Sequence, residues 1–212
     1  MTRNKGKGKM FLLLLIVVGA VVFSRGNTGR QRAVAGIKDP VQTVATGQTK
    51  RVVDGYDVII QFQYAYDIKA LVVSTHNYSG SGIGDKLSPK DLALAWGDVA
   101  ANNKVIDFHW KQSGRWYSWR VNSESEINKV GGIQGVTEHS SNNHMIPADD
   151  IIEKQIKKIK VGDYVRLTGY LVNIDGKHSD GRTFYWDSST TRSDSGAHSC
   201  EVMYVTGVEW LD

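Results

Sequence analysis

The chain has 212 residues, 41% of them hydrophobic, with six Trp, nine Tyr and five Phe. That is enough for one compact domain with appendages, and it excludes both a long multidomain assembly and a disordered chain. The formal charge of +4 suggests a polyanion partner, yet residues 1 to 38 hold eight basic groups and no acid, leaving 18 Lys and Arg against all 22 Asp and Glu from Asp39 onward. The folded part therefore carries about −4, which argues against nucleic acid as a partner because phosphate binding needs a positive field.

Residues 1–9 are a basic N-terminus, followed by an uninterrupted apolar run from Met10 to Phe23, then Ser24 and Arg25. Positive charge ahead of an apolar run keeps the N-terminus in the cytoplasm and sends the downstream chain across the membrane. A helix over residues 10–24 rises about 22 Å against a hydrocarbon core of about 30 Å. Two fates stay open, an uncleaved signal anchor with Lys9 and Arg25 snorkelling and a cleaved leader with secretion. Val22-Phe23-Ser24 before Arg25 is a poor cleavage site, which favours the single-pass transmembrane helix. Residues 25–50, rich in Gly, Thr, Gln and Ala, read as a flexible stalk. The exported domain spans 51–212, and with Cys200 as the single cysteine it must stand on its core without an internal disulfide.

From Tyr56 to Val72 apolar residues alternate with polar ones over 17 residues, the period of a half-buried strand. Such a strand must coil or bend, as the first strand of a small barrel does. Ser88-Pro89-Lys90-Asp91 predicts a capped helix running to Trp96, before Gly97. Phe108 to Trp119 predicts a hairpin with Ser113-Gly114 as its turn, so that Lys111 faces Trp116 and Asp107 faces Arg120. Its dry face is Ile106, Phe108, Trp110, Tyr117, Trp119 and Val121, and its wet face holds Lys111, Trp116 and Arg120. A second helix begins near Asp149 or Asp150, with Glu153 closing a capping box on Asp150, and runs to Lys160 before Gly162. Strands come next at Asp163 to Ile174, kinked at Gly169, at Phe184 to Trp186, and at Cys200 to Gly207. The expected class is mainly β with two helices, an OB-like five-stranded partly open barrel, with an α+β sandwich of the same elements as the alternative.

Candidate chemistry is sparse. Glu138 to His144 reads as a polar loop ahead of Pro147, and His139, Asn142, Asn143 and His144 are its candidate binding residues. A five-residue His spacing is no established metal-ligand spacing, and loop His and Asn commonly bond turns and helix starts. Ser193-Asp194-Ser195-Gly196 with His198 has hydrolase residue types without a nucleophile elbow. Gly80 to Lys86 lacks the P-loop spacing and reads as a connection. No motif calls for a cofactor or a metal. The hairpin's wet face, with Lys111, Trp116 and Arg120, is the better candidate surface, since an exposed Trp is a common anchor for a partner.

Leu87 to Gly97, Gln112 to Trp119, His139 to Pro147, Gly169-Tyr170-Leu171-Val172, and Thr191 to Gly196 with Cys200-Glu201 together resemble an uncharacterised family of bacterial membrane-anchored proteins. The resemblance covers most of residues 56 to 208 and carries no activity with it. It implies a bacterial origin and one domain over this region, and with the charge pattern of the leader the expected placement is single-pass in the inner membrane with the C-terminal domain in the periplasm. The expected function is a non-catalytic, membrane-anchored interaction or accessory module with protein partners in an envelope assembly. The alternative is an exported hydrolase or metal-dependent enzyme using the His139/His144 loop.

Overall fold

The computed structural model describes residues 32–192 and 199–212. The expected anchor at 10–24, the first residues of the stalk and the Ser193 to His198 segment lie outside the described residues. Among the described residues no helix is long and apolar enough to cross a membrane. Among the described residues the fold is mainly β, one eight-stranded sheet and a separate two-stranded hairpin, with five α-helices.

The stretch expected as a flexible stalk is folded from residue 32 onward. Val34 N donates to Ala100 O, Gly97 N donates to Ile37 O, and Ile37 is buried. Two strands come next, β1 (Val41–Val44) and β2 (Gln48–Val53), both antiparallel to β3 (Tyr56–Asn77). The polar composition that suggested a stalk belongs to edge strands, whose outward residues face water and need no apolar partner.

β3 realises the long alternating strand and extends it to Asn77. One edge meets β2, β1 and then β4 (Lys90–Ala95), while the other pairs with β8 (Tyr164–His178) from Tyr56 to Leu71. Register shifts at Phe62/Tyr64 and Val72/Ser74 bend it, which lets one strand serve four neighbours.

After the short helix α1 (Ile83–Leu87), the helix expected from Ser88 to Trp96 is instead strand β4. β4 lies between β3 and β7 (Ser140–Pro147), and all six of its residues are buried. With both faces covered the polar–apolar alternation disappears, and Leu92 and Leu94 against Ala93 and Ala95 leave only an alternation of size. Tertiary pairing overrides the helical propensity of Leu and Ala. Lys90 extends from the strand to donate from Nζ to Ile159 O (2.6 Å) and Lys157 O (3.2 Å), and burial lowers its pKa.

Residues 97–139 form an insertion between β4 and β7. It comprises α2 (Gly97–Asn102), the hairpin β5 (Lys111–Ser113) and β6 (Trp116–Ser118), α3 (Glu124–Ile127), a 3-10 turn and α4 (Gly132–Glu138). The hairpin register differs from expectation. Ser113 pairs with Trp116 and Lys111 with Ser118, so the turn is Gly114-Arg115. Both turn residues have positive φ, 58° and 72°, as a two-residue hairpin turn of matching twist requires. Arg115 tolerates that conformation because its backbone N–H donates to Tyr78 Oη and its side chain is bonded inward. A shift of two preserves the faces. Ile106 and Phe108 are buried, and Trp110, Tyr117, Trp119 and Val121 pack on the core. His109 at φ 45°, with its N–H on Asp107 Oδ1, ends the ladder early and replaces the expected Asp107–Arg120 pairing.

The expected polar loop from Glu138 to His144 is instead the end of α4, His139 and the first residues of β7, every residue of which is buried. Asp149 then caps α5 (Asp150–Lys158), accepting from Ile151 N and Ile152 N. Ile152 and Ile156 face the core, and Glu153 pairs with Lys157 rather than closing on Asp150. β8 returns along β3, carrying β9 (Thr183–Asp187) on its far edge, and β10 (Glu201–Leu211) pairs antiparallel with β8 and parallel with β7. Gly169 sits at the expected irregularity, where a Cβ would stand 2.0 Å from Tyr204 O.

Candidate functional site

Two neighbouring sites emerge, a buried polar cluster on β4 and β7 and an open cleft beside the hairpin. Pairing of Asp91 with His144, Ala93 with Asn142 and Ala95 with Ser140 places these six residues on one face of the two strands. The hairpin lies on that face. Gln112 Nε2 donates to Asn142 Oδ1 (2.6 Å), Asn142 Nδ2 donates to Arg115 O (3.0 Å), and Tyr117 Oη lies 3.2 Å from Ser140 Oγ. The small Ala93 and Ala95 leave room for it. Burial pushes the Tyr117 phenol up to about 12, since the phenolate would lose its hydration.

Arg115 fastens the hairpin tip. Its Nη1 donates to Asp91 Oδ1 (2.8 Å) and Ser88 Oγ (3.3 Å), and its Nη2 donates to Asp85 Oδ1 (2.5 Å). The guanidinium carbon stands 3.5 Å from the centre of the Tyr78 ring, a cation–π contact. Burial, with the negative charge of Asp91 in second place, pushes the Tyr78 phenol up to about 12. His144 completes the cluster, with Nδ1 3.0 Å from Asp91 Oδ1 but off the line of a hydrogen bond, and its ring packed 4.6 Å from Trp186. The side chains of His144 and Asp91 are 4% and 1% exposed. One Arg between two carboxylates holds two elements together.

The expected candidates divide accordingly. Asn142 and His144 face the hairpin, whereas Asn143 lies on the opposite face, its Nδ2 donating to Ser141 Oγ (2.8 Å). His139 precedes β7, with Nδ1 2.8 Å from Gly135 O and Nε2 3.9 Å from Asp39 Oδ1. The two histidines share no partner. Among the described residues no three His, Cys, Asp or Glu side chains are grouped to hold a metal ion. Lys111 and Arg120 are exposed, and Trp116 is 47% exposed on the same hairpin face as Lys111.

The cleft has a volume of about 360 Å³. Its lining comes from the hairpin (Trp116 to Trp119), from Ser140 and Ser141 at the start of β7, and from Thr191, Arg192 and Glu201. Arg192 Nη1 donates to Glu201 Oε1 (2.8 Å), its Nη2 donates to Tyr66 Oη (2.8 Å), and its guanidinium lies 5.1 Å from the Trp96 ring. Burial, with the nearby Glu201 charge second, drives the Tyr66 phenol far above its ordinary pKa, so it stays protonated.

Asp91, Arg115, Trp119, Arg192 and Glu201 escape the reading of the sequence. Asp91 was hidden in a segment that reads as helix, and Arg115 was one position outside the expected turn. The Leu–Ala alternation of size after Asp91 is the signal that could have exposed the strand. Comparison of the chain with protein-family models, with curated proteins and with solved structures gives no match in any of the three.

Proposed function

We propose that this chain is a membrane-anchored, extracytoplasmic, non-catalytic binding module of a bacterial envelope assembly, and that it engages its ligand through the hairpin and its cleft. The circuit of pairings β3–β4, β4–β7, β7–β10, β10–β8 and β8–β3, with β7 and β10 parallel and α5 between β7 and β8, supports an OB-like, partly open barrel as its frame. The basic and apolar leader supports the placement across the membrane.

One observation carries the choice of surface. Two of the polar residues most suited to chemistry, Asp91 and Asn142, bond the hairpin directly, and the buried His144 stands against Asp91, while Trp116 beside them remains outside. A binding module needs a rigid support under an accessible anchor, and that is this arrangement. The test is photo-crosslinking in cells from the full-length chain, with the reactive residue at position 116 and a control at Val105, which is exposed and does not line the cleft. Discrete adducts from position 116 alone are expected. Equal labelling from both positions, or none from 116, overturns the reading.

A further inference from the structure

We propose that the cleft beside the hairpin takes one or two units of a neutral saccharide chain, stacked on the indole of Trp116 or Trp119. This rests on the binding-module reading above and names the ligand class of that same surface. The volume of about 360 Å³ falls at the small end of ligand clefts, which run about 300–1,000 Å³. It suits a small compact unit or a short piece of a polymer entering from the side.

The lining selects the chemistry. Among the described residues the charged groups lining the cleft are Arg192 and Glu201, and they are paired with each other at 2.8 Å. Arg192 is also bonded to Tyr66 Oη, so an anion would have to compete for a guanidinium already engaged on two sides. A cation would have to break the same pair to reach the carboxylate. Both charged ligand classes are thereby disfavoured, because reaching either group means breaking a pair whose carboxylate is buried and whose guanidinium is also held by Tyr66. An apolar chain fits no better, because it would strip water from the hydroxyls of Ser118, Thr137 and Thr191 and return no hydrogen bonds.

A pyranose ring satisfies both halves of the lining. Its hydroxyls donate to and accept from Ser and Thr, each of which can do either, and its axial C–H face is apolar and lies flat on an indole. Trp116 and Trp119 both line the cleft, and the half-exposed Trp116 is held in place by a hairpin anchored through Arg115 and Gln112 rather than by its own burial. Stacking on a preorganised, half-exposed Trp loses little conformational entropy on binding.

The test is isothermal titration calorimetry on the full-length chain in lipid nanodiscs, which avoid sugar-headed detergents, with chitotetraose, cellotetraose and maltotetraose as neutral probes and a sulfated heparin tetrasaccharide as the charged control. Saturable binding of at least one neutral probe is expected, weakened at least about tenfold by Trp116→Ala or Trp119→Ala with the melting temperature of Trp116→Ala unchanged. Val105→Ala is expected to bind as the parent does. The proposal is overturned if no neutral probe saturates at millimolar concentration, if neither Trp variant weakens binding, or if the sulfated probe binds most tightly. Failure here with specific crosslinks from position 116 removes the saccharide and leaves the binding module. Failure of both removes the module as well.

Discussion

β7 and the β5–β6 hairpin touch each other and contradict their compositions in opposite directions. Ser140 to His144 is polar at every position and wholly buried, whereas Trp116 at the hairpin is among the largest apolar side chains in the chain and stands nearly half in water. Burial here follows from pairing. β7 has a strand on each side, with the insertion packed on one face and the core on the other, so its polar groups must find partners inside. The hairpin is a two-stranded flap with one supported face, so its other face is free to carry an anchor. Asn142 and Ser140 in the interior hold the flap, and Trp116 on its other face stands exposed.

The largest test of that division is at the clamp. Asp91→Ala leaves the Arg115 guanidinium with Asp85 as its remaining carboxylate, and should destabilise the domain by about 3 kcal/mol or more, read from the urea midpoint. A loss under about 1 kcal/mol would mean that the hairpin is not fastened there. The inner face of the flap is tested by alkali. Tyr117 is held neutral in the folded chain up to about 12, against an ordinary value near 10. Its contribution is therefore intact below about pH 10 and declines as pH rises from about 10 to 12, because only the unfolded chain gains from ionising first. Tyr117→Phe should flatten that part of the decline in a series of urea melts, and an unchanged slope would count against a sealed Tyr117.

Behind β7, Lys90→Met removes the ammonium that caps the carbonyls at the end of α5 and should cost about 1–2 kcal/mol. Substitution of Lys90 without loss of stability would show that α5 is held by its isoleucines alone. The smallest effect on stability belongs to the exposed side. Trp116→Ala should lower the stability read from urea melts by less than about 0.5 kcal/mol, and a larger loss would place the indole in the core rather than at a ligand surface.

The sequence was legible wherever one face of an element meets water. β3 declared itself by alternation, α5 by its Asp149 cap and its Ile152 and Ile156 stripe, and the hairpin by its two faces. It was illegible wherever both faces are covered, because alternation then has nothing to report. β4 passed for a helix on that account, and β7 for a loop because Ser, Asn and His are loop formers when no partner is in view. The hairpin register was missed by a single turn position, since nothing local to Ser113-Gly114-Arg115 reveals that Arg115 is tied to Asp91 and Asp85, both far earlier in the chain. The cleft was visible only in part, through Trp116. Its other wall comes from Arg192 and Glu201, brought there by the parallel pairing of β10 with β7.

The most direct measurement is native-state amide hydrogen exchange monitored by mass spectrometry on the full-length chain, comparing a peptide over 140–147 with one over 112–119. The β7 amides should exchange only through global unfolding, with the highest protection in the chain, while those at the hairpin tip should exchange through local opening many times faster. Exchange of 140–147 at the rate of an open loop would contradict the burial of β7, returning Asn142, Asn143 and His144 to the surface and to contention as a functional site.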